Sequence, residues 1–156
     1  MEENGKKLFE EILEKSPNHL DANKGMADLY FRSGKYIDGI KSIRKNLQMN
    51  AYDAESNFLA GNLYRALGQY TNAREAFGWA ARSMEYRSGA FAQIAEIYLS
   101  ENKWDTAIET IKSFGCIGVT KSLFKIPRRL YSTILKPLPA ILRFISMNAN
   151  SPGSKK

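Results

Sequence analysis

Apolar positions along the first hundred residues keep a helical beat that stops and restarts at fixed intervals. In DANKGMADLYFRS, residues 21–33, Met26, Ala27, Tyr30 and Phe31 fall at helical spacing, and the run ends at Gly34. Glycine just past a helix supplies the left-handed backbone that closes it. KYIDGIKSIRKNLQMN, residues 35–50, then carries Tyr36, Ile37, Ile40, Ile43 and Leu47 with the same period, so a second helix follows. The pair recurs. LYFRSGKY at 29–36 returns as LYRALGQY at 63–70 and as IYLSENKW at 97–104, 34 residues apart each time. Tyr30, Tyr64 and Tyr98 are in phase, as are Gly34, Gly68 and Asn102, and then Tyr36, Tyr70 and Trp104. Self-similarity at this period marks stacked helix pairs, none of which buries its apolar face alone.

The pattern resembles the tetratricopeptide repeat family, in which W-x2-L-G-x2-Y precedes A-x3-F and a closing Pro. The second unit offers Ala60, Gly61 and Tyr64, then Gly68, Tyr70, Ala73, Phe77 and Ala80. The third offers Phe91, Ile94, Ala95 and Tyr98, then Trp104, Ala107, Ile111 and Phe114. In the first, Met26, Ala27 and Tyr30 precede Gly34, Tyr36, Gly39 and Ile43. Asn23 and Asn57 stand where the family often has Trp, and no Pro closes any of the three units. Ahead of them, GKKLFEEILEKSPN puts Gly5, Phe9, Ile12 and Pro17 in register with the second helix of a unit whose first helix is missing. The expected fold is all-α: a solenoid of about three and a half tetratricopeptide-like pairs, with a half-repeat at 5–19 and repeats at 20–53, 54–87 and 88–114. C-terminal capping helices complete it.

The resemblance implies a non-catalytic scaffold whose concave groove, lined by the first helices, binds a partner peptide or helix. Groove residues by this analogy are Asp21, Lys24, Asp28, Phe31 and Arg32, then Glu55, Phe58, Asn62 and Arg65, then Ala92, Glu96 and Leu99. Solvated helix faces are the alternative reading; Phe31 and Phe58 exposed together favour the groove. On that footing Phe58→Glu is expected to abolish partner capture and leave melting almost unchanged. A subfamily clamps terminal carboxylates with a Lys and an Asn one turn apart. Here Lys24 is followed by Asp28, which repels a carboxylate, and Gln93 stands where a base is needed, so the clamp is not expected.

Candidate chemistry is sparse. One cysteine, Cys116, excludes an internal disulfide, and one histidine, His19, excludes a multi-histidine metal site. His19 sits in the turn SPNHLD as a surface histidine, Cys116 lacks a His or CxxC companion, and no phosphate-binding glycine loop occurs. The chain therefore reads as no enzyme, with no cofactor and no metal. MEENGKKLFEEILEK lacks the apolar core of a signal peptide, which reads as cytoplasmic.

Charge divides the chain. Of 23 basic residues, nine lie in 110–156 with no acid among them; the other 14 face all 16 acids in 1–109. The net +7 is thus a near-neutral body with a basic tail. Within 115–148, taken as basic amphipathic helices, Leu130, Ile134, Leu138 and Ile141 share one face, and Lys121, Lys125, Arg128, Arg129, Lys136 and Arg143 fall opposite. Pro127, Pro137 and Pro139 divide the stretch into short helices near 119–126, 127–136 and 139–147, and 149–156 reads as disordered. One reading makes this tail a solenoid cap. A second lays it on an anionic membrane surface, making the protein a peripheral membrane adaptor; a third function places an apolar client segment in the groove, as a chaperone would. No nucleic-acid motif accompanies the charge. The missing first helix leaves Leu8, Phe9, Ile12 and Leu13 without full cover, which predicts a weak homo-oligomer.

Overall fold

A computed structural model describes residues 2–114. They form seven helices: α1 (Glu2–Lys15), α2 (Leu20–Arg32), α3 (Tyr36–Met49), α4 (Ala54–Ala66), α5 (Tyr70–Ala80), α6 (Met84–Ser100) and α7 (Trp104–Phe114). No strand occurs among these residues. The capping helices, the basic face from Lys121 to Arg143 and Cys116 lie outside the described residues. No helix among the described residues is long and apolar enough to cross a membrane.

Each helix packs on its successor, and the first helices of consecutive pairs also touch, α2 on α4 and α4 on α6. The elbow within each pair is set by one left-handed residue: φ is 73° at Gly34, 73° at Gly68 and 60° at Asn102. Asparagine is among the few side chains that tolerate this region, so it can stand in for the third glycine.

The turns between pairs are closed by the residues that depart from the family pattern. Asn23, fully buried, donates through Nδ2 to the carbonyls of Pro17 and His19 at 3.0 and 3.1 Å. Asn57 repeats the device, donating to Ala51 and Asp53 at 2.9 Å each. An amide placed one turn inside a helix thus ties down the loop that precedes it. His19 accepts a hydrogen bond from Ala22 N–H at its Nδ1, and Asp53 accepts one from Ser56 N–H. Both side chains cap a helix N-terminus.

The core alternates large and absent side chains. A Cβ on Gly61 would sit 2.6 Å from the ring of Phe77, and one on Gly39 would sit 2.7 Å from the Leu63 side chain. Phe9 of α1 lies against Gly25 in the same way, so the half-repeat packs its half-buried aromatic on α2 while Leu8 stays 56% exposed. Ala27, Ile43 and Leu63 form one buried cluster; Ala73, Phe77, Ala90 and Ile97 belong to the next. Ile37, in phase with the apolar run of α3, points outward at 63% exposure, because the buried face of that helix is carried by Gly39, Ile40, Ile43 and Asn46.

At the last elbow, Glu101 bridges Arg74 of α5 at 2.8 Å and Lys103 at 2.9 Å, and Arg74 also lies 5.2 Å over the Tyr98 ring. Hydrogen bonds from Arg74 first, then Lys103, hold the Glu101 carboxyl below its ordinary value of 4.5. A carboxylate depressed in the folded state contributes stability above its unfolded pKa and loses it as pH falls through the folded one. Melting of the full chain should therefore exceed that of Glu101→Gln near neutrality. The gap should close as pH falls below the ordinary carboxyl value of 4.5 and through the lowered folded one, and a gap that does not narrow would show the bridge contributes nothing.

Candidate functional site

The three first helices, α2, α4 and α6, each contribute side chains to one cleft. Phe31 of α2, Asn62, Arg65 and Ala66 of α4, Tyr70 of α5, and Glu96, Ile97 and Ser100 of α6 line a cleft of about 270 Å³. Four of the expected residues, Phe31, Asn62, Arg65 and Glu96, thus meet in one place. Phe31 is half-buried and leans on Tyr36, with ring centroids 5.9 Å apart, so one edge of its ring is anchored while it lines the cleft.

Charge on this face is largely satisfied within the chain. Arg65 bridges Glu96 at 2.9 Å, and Lys24 bridges Glu55, both across a step of 31 residues. That step joins a residue to one a turn earlier in the next repeat, so the bridges are rungs between neighbouring first helices. Lys24 also reaches Asp21, and Arg32 pairs with Asp28 at 2.7 Å. The Glu55 contact, above all, raises the Lys24 pKa from its ordinary value; Asp21 adds to it against the opposing effect of burial. Lys24 is thus engaged by two carboxylates of the chain.

Phe58 belongs elsewhere. Its ring packs edge-on against buried Phe77 at 5.5 Å and lies 5.5 Å from Tyr86, with Gly89 directly beneath it. It is half-buried packing between α4 and α6, not a free groove aromatic. The expectation that Phe58→Glu leaves melting unchanged is corrected accordingly. The surroundings are also acidic: burial first, then Glu55 and Glu85, raise the Tyr86 pKa from its ordinary value. Leu99 is half-buried and packs against the buried pair Ala95 and Ile111. Among the described residues no group of three or more His, Cys, Asp or Glu could hold a metal ion.

The described chain is thus an all-α solenoid of tetratricopeptide-like helix pairs, built around an inner face of first helices. No family model matches it. It is similar to lipopolysaccharide assembly protein B of Escherichia coli strain K12, with 27% identity over 124 residues. That match covers 76% of this chain and 32% of the relative, and the O157:H7 protein matches equally. The chain therefore spans about a third of the length of these curated relatives. Among solved structures, MamA superposes with a TM-score of 0.66 at 20% identity, over 92% of this chain and 81% of that one. SycD, a type III secretion translocator chaperone of Yersinia enterocolitica, gives 0.56 at 19% identity, over 86% and 88%. At these identities the structural likeness is one of fold.

Proposed function

We propose that this protein is a non-catalytic scaffold that holds a polypeptide segment of a protein partner on the inner face of α2, α4 and α6. The observation that carries the reading is the cleft where Phe31, Asn62, Arg65 and Glu96 converge from three successive first helices. An apolar floor with a few convergent polar groups suits a peptide side chain and its backbone. The similarity to a protein named for lipopolysaccharide assembly, and the fold shared with a secretion chaperone, fit a protein that works by holding others. Exposed Leu8 on α1 supports an added weak association between copies.

Asn62→Arg tests it, because the Asn62 side chain is half-buried and forms no hydrogen bond among the described residues, and the arginine would fill the cleft with a bulky cation. Melting should stay within a few degrees of the parent, as for a substitution away from the core. Capture of the partner by the full chain should fall by at least about tenfold, the loss of roughly 1.4 kcal/mol. Unchanged capture would remove the inner face from the reading.

A second reading, the peripheral membrane adaptor, rests on the nine basic residues without an acid in 110–156. It expects the full chain to co-sediment with phosphatidylserine vesicles and to be released as salt rises past about 0.15 M, where charge attraction is screened beyond about 8 Å. No sedimentation at low salt would end it.

A further inference from the structure

A second cleft, of about 460 Å³, lies on the other layer of the solenoid, between α3 and α5 with α4 as its floor. Three observations set it apart from the inner face. The first is charge. Arg44 on the α3 wall and Glu75 on the α5 wall are exposed and engage no other side chain among the described residues, whereas the inner-face charges are bridged to one another.

The second is its aromatic end. Trp79 is held in place by Tyr52, 5.2 Å away by ring centroids, and by the Arg82 guanidinium 4.1 Å over its ring. Tyr52 itself is 69% exposed. Tryptophan, tyrosine and arginine are the side chains in which binding hot spots are enriched, and a ring fixed in advance loses little freedom on binding.

The third lies in the floor. Asn57 is only 5% exposed, and both hydrogen bonds of its Nδ2 are committed to the preceding turn. Among the described residues nothing donates to its Oδ1, and Asn57 lines the cleft, whereas the Oδ1 of the equivalent Asn23 is sealed away without a donor. A nearly buried acceptor lining an open cleft matches a backbone N–H of an incoming chain.

We infer that this outer cleft is a second peptide-docking site, separate from the inner face. Its occupant is a short segment with one large aliphatic side chain flanked by an acidic and a basic residue. The aliphatic side chain fills the space between Leu47 and Trp79. The acid meets Arg44, the base meets Glu75, and a backbone N–H donates to Asn57 Oδ1.

The test uses the full chain with Trp104→Phe, which leaves Trp79 as the one tryptophan. Two synthetic peptides are titrated while its emission is followed: acetyl-Glu-Ala-Leu-Ala-Lys-amide, and the same peptide with Gln at both charged positions. Saturable change of Trp79 emission is expected with the charged peptide. Binding of the neutral one should be weaker by about tenfold, the scale of two partly exposed ion pairs. The double variant Arg44→Gln, Glu75→Gln, whose side chains are exposed and unbridged among the described residues, should melt like the parent and bind the two peptides alike. No change in emission up to millimolar peptide overturns the proposal, as does equal binding of both peptides to the parent. Binding that leaves Trp79 silent and is lost with Asn62→Arg also overturns it, while leaving the inner-face reading intact.

Discussion

Gly61→Leu should lower the melting temperature of the full chain by at least about 12 °C. The added Cβ alone would lie 2.6–2.9 Å from three atoms of the Phe77 ring, and Phe77 is fully buried between α5 and its neighbours. Something must shift, and the buried ring already packs edge-on against Phe58 at 5.5 Å. Overpacking a close-packed interior typically costs about 1–3 kcal/mol and occasionally more. A residue that needs the whole volume of a ring edge falls at the upper end. With about 4 °C per kcal/mol for a domain near 100 residues, the shift follows. Calorimetry of the double variant Gly61→Leu, Phe77→Ala supplies the check. If the two side chains compete for one space, the pair should be less destabilised than the sum of the singles by about 1 kcal/mol or more. Strict additivity would show that the cost of Gly61→Leu arises somewhere other than the Phe77 contact.

Phe58→Glu should be the next most damaging change, with a fall of about 10 °C. The substitution removes the edge-on contact with Phe77 and the contact with Tyr86, and places a carboxylate in their stead. Losing a packed ring costs about 3 kcal/mol at a fully buried site, and less at a half-buried one. The carboxylate adds a desolvation cost and lies among Glu55 and Glu85, whose charge already acts on Tyr86. Phe58→Leu separates the two causes. It should recover most of the loss if packing dominates and every variant is read by circular dichroism melting. A Phe58→Glu chain that melts with the parent would return the ring to the groove.

The two sites differ in how readily the sequence discloses them. The elbows at Gly34, Gly68 and Asn102 are legible because the left-handed conformation restricts residue choice, and the restriction recurs at the period of the repeat. Helix faces are legible for a related reason: Ala27, Gly61 and Ala95 share one phase and are all buried. Phe58 was harder to place because its phase mates are Lys24 and Ala92, so the same position carries a cation, a ring and a methyl. Where that ring goes is decided by Tyr86 and Gly89 on α6, which are unrelated to it by the repeat. The bridges Lys24–Glu55 and Arg65–Glu96 were missed because they join positions 31 apart, and a search in steps of the repeat passes over them. Asn23 and Asn57 read as departures from a tryptophan pattern; their identical reach to carbonyls six and four residues back becomes visible only with the turn in place.

Site-specific photo-crosslinking of the full chain in its own cells tests whether a partner polypeptide lies on the inner face. Ser100, exposed at the rim of the cleft, is replaced by benzoylphenylalanine, and exposed Glu109 on α7 carries it as the control. A discrete protein adduct is expected from position 100, disappearing when Asn62→Arg is added, with no such adduct from position 109. An adduct equally strong from 109, or one from 100 that survives Asn62→Arg, would contradict the inner-face reading.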